Sequence, residues 1–147
     1  MRRLVLYGLC AISLSVITLR IVGCTDVARE APTMTVELRV YSGRPNPSWR
    51  LSAPDVGELR KRLKDLPRRH EPFVEGGLGY GGFVIRSSEK VVGLPTQIYV
   101  FNGVGIPEER SVASHEDVHD IEGWLLRQAR EHGHGAILSS LGKDDVR

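Results

Sequence analysis

Cysteine is nearly absent: Cys10 and Cys24 are the two in 147 residues. Both lie in the first 24 positions, so no disulfide can join parts of the chain that follow. Aromatic residues make up only 6% of the sequence, yet the hydrophobic content of 41% is ample for one domain and excludes a low-complexity or collagen-like chain. An excess of one charge is also missing from the main body. Arg2, Arg3 and Arg20 precede Cys24 with no acid beside them, which leaves 17 bases against 18 acids from Cys24 onward. That balance excludes a basic nucleic-acid-binding domain, and no nucleic-acid partner is expected. The longest uncharged stretch, residues 4–19, has sixteen residues, short of the roughly 20 apolar residues of a membrane-spanning helix. No Gly-x-Ser-x-Gly elbow and no cysteine–histidine pair after position 24 offers a nucleophile, so no catalytic residue and no cofactor is assigned.

The beginning of the chain reads as an address. A basic Met1-Arg2-Arg3 leads the uncharged run of residues 4–19, the layout of a secretory signal. Ile21-Val22-Gly23-Cys24 follows and resembles the lipobox of bacterial lipoprotein precursors. The resemblance implies a diacylglyceryl thioether on Cys24, cleavage before it and a further acyl chain, commonly palmitate, on the new amino group. Two or more chains hold a protein on a membrane where one is marginal. The expected division is a signal peptide over 1–23, with the lipid attachment site and tether over 24–33. The membrane lipid is then reached through Cys24, in an extracytoplasmic position on the cell membrane or outer membrane. Thr25 stands where inner-membrane lipoproteins carry aspartate, which by the same resemblance favours the outer membrane. An uncleaved anchor with Arg20 at the interface and ordinary secretion are the alternatives.

From Met34 the pattern changes. Met34, Val36, Leu38 and Val40 alternate with Thr35, Glu37, Arg39 and Tyr41, the period of a half-buried strand. Pro45 and Pro47 interrupt it, because neither can donate to a ladder, and Trp49 and Leu51 restart a short strand. Ser52 is placed to cap a helix with Pro54 and Asp55 in its first turn, Val56, Leu59, Leu63 and Leu66 on one stripe, and Pro67 as its stop. The basic run Arg60, Lys61, Arg62 and Lys64 on that helix reads as paired charges with Glu58 and Asp65, with weak contact to anionic lipid as the second reading. Strands are expected at 83–85 and 96–101, with Asn102-Gly103 turning a hairpin into 104–106. A last helix is expected over about 114–131, and 132–147 as a loosely ordered tail. The fold class is therefore α+β, a small mainly antiparallel sheet packed by two helices in a single domain over 34–131.

Three motifs resemble chemistry. Gly77-x-Gly79-x-x-Gly82 matches the dinucleotide fingerprint, but a strand follows where that motif requires a helix, so the glycines are read as a turned loop. His115-Glu116-Asp117-Val118-His119 is a literal His-Glu-x-x-His, in which two histidines one helical turn apart bind zinc and the glutamate activates water. Against it stand the acidic Asp117 and Asp120, a capping box formed by Ser114 and Asp117, and the lack of a third ligand. His132 lies thirteen residues after His119, about 20 Å along an unbroken helix. The histidines are expected on the solvent side of a helix, with no metal bound. The zinc-dependent hydrolase of His115, Glu116 and His119 is the alternative function. His132-Gly133-His134 is read as a helix end with Gly133 as the residue after the cap. Finally Tyr41, Arg44, Trp49, Arg50 and Tyr80 are the candidate binding residues, an aromatic and cationic surface.

The segments Tyr41-Ser42-Gly43-Arg44-Pro45-Asn46-Pro47-x-Trp49-x-Leu51, Leu78-Gly79-Tyr80-x-Gly82-Phe83 and Ile121-Glu122-x-Trp124-Leu125-Leu126 together resemble a group of small bacterial proteins marked by Ser-Gly-Arg-Pro-Asn-Pro-x-Trp. The resemblance implies one shared domain and no activity. The sequence thus leads to a lipid-anchored envelope domain that binds an envelope protein or glycan and does not catalyse.

Overall fold

The computed structural model describes residues 33–77 and 79–143. The expected signal peptide, Cys24 and all of the tether before Thr33 lie outside the described residues. Among the described residues no helix is long and apolar enough to cross a membrane.

Six strands form one antiparallel sheet: β1 Met34–Leu38, β2 Ser48–Arg50, β3 Phe83–Ser87, β4 Gln97–Val100, β5 Val104–Pro107 and β6 Val112–His115, in the order β2-β1-β3-β4-β5-β6. With helices α1 Ala53–Arg62 and α2 Ile121–Ala129 it is the α+β fold that the alternating strand and two apolar stripes predict. Directly opposed residues share a face, and the register sorts the sheet cleanly. Val36 stands opposite Trp49 and Ile85, and Ile85 opposite Ile98. Leu38, Phe83, Val100 and Val104 make a second apolar row. These side chains are buried against Leu59 of α1 and Ile121, Leu125 and Ala129 of α2 in one core.

Local signals place most boundaries. Ser52 caps α1 with a reciprocal capping box: its hydroxyl accepts from Asp55 N at 3.3 Å while the Asp55 carboxylate accepts from Ser52 N at 3.2 Å. Asn102 (φ 47°) and Gly103 (φ 148°) turn β4 into β5.

The expected helix over 114–131 is corrected. Val112–His115 is a strand, paired along Val104–Pro107, and α2 begins only at Ile121. Asp117 does cap a helix, but not with Ser114. Its two carboxylate oxygens accept from Ile121 N at 2.7 Å and Glu122 N at 2.8 Å, filling donors that a helix start leaves open. Asp120, in the left-handed region at φ 52°, makes the corner between strand and helix. The chain does not loosen after His132 either. Gly133 (φ 84°) kinks it, and α3 Gly135–Ser140 follows with Leu138 fully buried in the core. Only residues 144–147 of that stretch lie outside the described residues.

Residues 67–77 carry no hydrophobic period, yet they run as a strap over the outer face of the sheet. Glu116 N donates to Pro67 O at 2.9 Å and Arg69 N to Ser114 O at 2.8 Å, so the strap first closes the β6 edge. Phe73 then stacks on Tyr99 of β4, centroids 5.9 Å apart, above Gly105 of β5. A Cβ on Gly105 would come within 2.6 Å of the Phe73 ring. Glu75 next pairs with Arg39 just past β1, and the glycines lead into β3. The opposite sheet edge is β2, three residues long and entered through Pro45 and Pro47.

Candidate functional site

Beyond β1 the chain turns through the Ser-Gly-Arg-Pro-Asn-Pro motif, and Asn46 holds that turn. Its Oδ1 accepts from Val40 N at 3.0 Å and Tyr41 N at 2.9 Å, and its Nδ2 donates to Glu37 Oε1 at 3.0 Å. One side-chain amide thereby takes up two backbone donors that the ladder has stopped using. Leu38 N donates to Pro47 O at 2.9 Å, bringing the chain back beside β1. Arg44, at the tip, lies over the Tyr41 ring with its guanidinium carbon 3.4 Å from the centroid, a cation–π contact at an exposed site.

The glycine segment comes to the same place from the other side. Gly81 N donates to Arg39 O at 2.7 Å and Arg39 N to Gly82 O at 2.9 Å, prolonging the β1–β3 ladder. Side chains are excluded there: a Cβ on Gly76 would lie 2.5 Å from Gly81 Cα, and one on Gly82 (φ 77°) would lie 2.1 Å from Val100 O. The glycines serve close backbone packing, and a strand follows them, as the sequence indicates. Between turn and glycine segment lies a recess of about 170 Å³ lined by Arg39, Tyr41, Ser42, Gly77, Gly79 and Gly81 among others.

No family model, curated protein or solved structure matches this chain. Function therefore rests on the residues alone.

The five candidate binding residues do not form one surface. Tyr41 lines the recess and Arg44 lies on its ring. Trp49 is core, 7% exposed, because β2 alternates and its middle residue faces the helices. Its Nε1 donates to Gln128 Oε1 at 3.1 Å, and Gln128 Nε2 donates to Asp55 Oδ1 at 2.9 Å, tying β2, α2 and the start of α1 together. His132 stacks on the same indole at 5.3 Å. Arg50, one residue on, faces outward. Tyr80 is half-buried edge-on to Phe83, and its hydroxyl donates to Glu122 Oε1 at 2.8 Å. Burial, then the charge and hydrogen bond of Glu122, push the Tyr80 hydroxyl far above its ordinary range. The other Glu122 oxygen accepts from Asn102 N at 2.8 Å, so this acid clamps the hairpin turn and the glycine segment to α2. Gln128 and Glu122 escaped sequence reasoning, since neither carries a local signal for a partner.

His115 and His119 are not one helical turn apart on a helix. His115 ends β6 with its Nδ1 buried and unpartnered among the described residues, while His119 sits in the following turn with Nδ1 2.7 Å from Arg62 O. The spacing that gives His-Glu-x-x-His its meaning exists only on a helix. Among the described residues no group of three or more His, Cys, Asp or Glu side chains is placed to hold a metal ion.

In the basic run at the end of α1 the two arginines are engaged, while the lysine side chains stay 80% and 77% exposed. Arg62 donates to Glu58 at 2.8 Å and also to the His119 carbonyl, Arg60 donates to Val92 O at 3.3 Å, and Lys61 and Lys64 stand near Glu58 and Asp65 at 3.8 and 3.9 Å.

Proposed function

We propose that this chain is a lipid-anchored, extracytoplasmic protein of the bacterial envelope whose domain binds another envelope component, a protein or a glycan, without catalysis. The anchor is read from Ile21-Val22-Gly23-Cys24. The binding role is carried by one observation: Tyr41 and Ser42, where the chain enters the Ser-Gly-Arg-Pro-Asn-Pro turn, line one recess with the glycine segment, and Arg44 of the turn lies on the Tyr41 ring. The backbone there is held by Asn46 and by the Arg39 ladder bonds, so the recess is pre-organised and little ordering entropy opposes a ligand.

The test is made on the full chain in living bacteria. Palmitate labelling should appear and vanish in Cys24→Ala. A photo-crosslinking residue at Ser42 should give one discrete adduct that is lost on Tyr41→Ala. The same residue at Val92, 88% exposed and in a different loop, should not give it. An unlabelled chain would overturn the anchor, and identical adducts from both positions would overturn the recess as the binding site.

A further inference from the structure

The outer face of the sheet has a second recess at the end where the chain enters from the tether. It is open, about 450 Å³, and lined by Thr33, Thr35, Arg50, Arg86, Ser87 and Ser88. The register makes it: Thr35 of β1 stands opposite Arg50 of β2 on one side and Arg86 of β3 on the other. All three point away from the helices, with the two arginines on strands about 10 Å apart. Arg50 has no hydrogen bond or ion pair among the described residues. Arg86 spends one nitrogen on Glu37 at 2.6 Å and keeps half of its side chain exposed, leaving donors of its five-donor fork for another acceptor. Thr33 N donates to Ser88 Oγ at 3.2 Å and Ser88 N to Thr33 O at 3.0 Å, which fixes the entry point of the chain at the rim of this recess.

We infer that this face docks on the phosphates of anionic lipid headgroups, with Arg50 and Arg86 as the phosphate-binding residues. Two guanidinium forks with hydroxyl groups between them match phosphate oxygens. A recess this open suits a headgroup in a planar layer better than an isolated ion. The inference rests on the proposed lipid anchor: eight residues separate Cys24 from Thr33, and the span fully extended reaches about 30 Å. An anchored Cys24 therefore keeps this end of the sheet close to the headgroups at high effective concentration. On α1, by contrast, Arg60 and Arg62 are held by Val92 O, Glu58 and the His119 carbonyl.

The experiment uses the full chain purified from bacterial membranes in neutral maltoside micelles, with palmitate labelling recorded on the same preparation. Side-chain Nε–H signals of Arg50 and Arg86 and the Thr35 amide are followed while dihexanoylphosphatidylglycerol, dihexanoylphosphatidylcholine or inorganic phosphate is added. Saturable shifts are expected with phosphatidylglycerol, at least tenfold weaker effects with the other two, and about fivefold weaker phosphatidylglycerol binding in Arg50→Gln. Arg50 is exposed and unpaired, so this variant keeps the fold. A palmitate-labelled chain with no shift would overturn the lipid face while leaving the anchor intact. Equal shifts from inorganic phosphate would overturn the lipid as the source. An unlabelled chain that still shifts with phosphatidylglycerol would remove the anchor and retain the face.

Discussion

The outer face of the sheet is two surfaces in one. Where the strap crosses, it is covered, with Phe73 against Tyr99 and Gly105 and Val84 of β3 buried; at the end formed by Thr35, Arg50 and Arg86 it stays open, with both arginines exposed. The difference comes down to what projects from the pleat. The strapped half has a position with no side chain, and an aromatic ring from a loop lies over it. The open half carries long charged side chains that need no cover. A segment without periodicity becomes part of the structure where the sheet leaves it a place, and the surface left bare is free for contacts with other molecules.

The sharpest way to break that contrast is Gly105→Val. Its side chain would occupy the space of the Phe73 ring, and a loss of about 3 kcal/mol is expected in urea unfolding, as for overpacking at a tight site. Phe73→Ala should cost about 2 kcal/mol, less than a fully buried phenylalanine because Phe73 is only half-buried. Combining the two should cost no more than Gly105→Val alone, since the clash is gone; full additivity would show that the strap does not rest on Gly105.

Glu37 stands at the border of the two halves. Burial opposes its ionisation, but hydrogen bonds from Arg86 and Asn46 and the charges of Arg86 and Arg39 outweigh it and hold its carboxyl below its ordinary value of 4.5. A depressed folded value means that the ionised carboxylate stabilises the fold above pH 4.5, and that this contribution fades as acid takes the pH below it. Glu37→Gln should therefore be less stable than the parent at pH 7, and the difference should shrink below pH 4.5. A constant difference across that window would remove Glu37 as its source. The smallest effect belongs to the open half: Arg50→Gln should change unfolding stability by less than about 0.5 kcal/mol, and a larger loss would mean that Arg50 supports the fold.

Elements with local causes were legible. The alternation from Met34, the Ser52–Asp55 capping box and the Asn102-Gly103 turn each act within a few residues, and the structure has them where the sequence puts them. The region 112–120 misled because Ser114 and Asp117 have the spacing of a helix cap. The residues at 112–115 instead take a strand partner in Val104–Pro107, a choice made by the sheet and not by the segment. Leu138 joins the core only because Gly133 turns the chain back, so an apolar residue in a polar stretch gave little warning. At the candidate site, the Ser-Gly-Arg-Pro-Asn-Pro turn stood out as a motif and Tyr41 with Arg44 do meet there. Trp49 went to the core because the alternation of β2 turns it toward the helices, and its indole partner Gln128, 79 positions away, gave no local sign of it. The recess itself needed the glycine segment to come back against Arg39, which no local pattern announces.

The sheet ends bear on how copies of this chain would behave when crowded. One edge is occupied by the backbone of Pro67 and Arg69, and the other is a three-residue strand entered through two prolines. Neither offers the long row of open backbone groups on which a second molecule can template and grow a shared sheet. Proteins confined to a surface meet one another far more often than in bulk solution, and fibrous self-association is the usual hazard of an open antiparallel sheet in that setting. On a membrane carrying the proposed anchor, edges finished in this way would offer such growth no template.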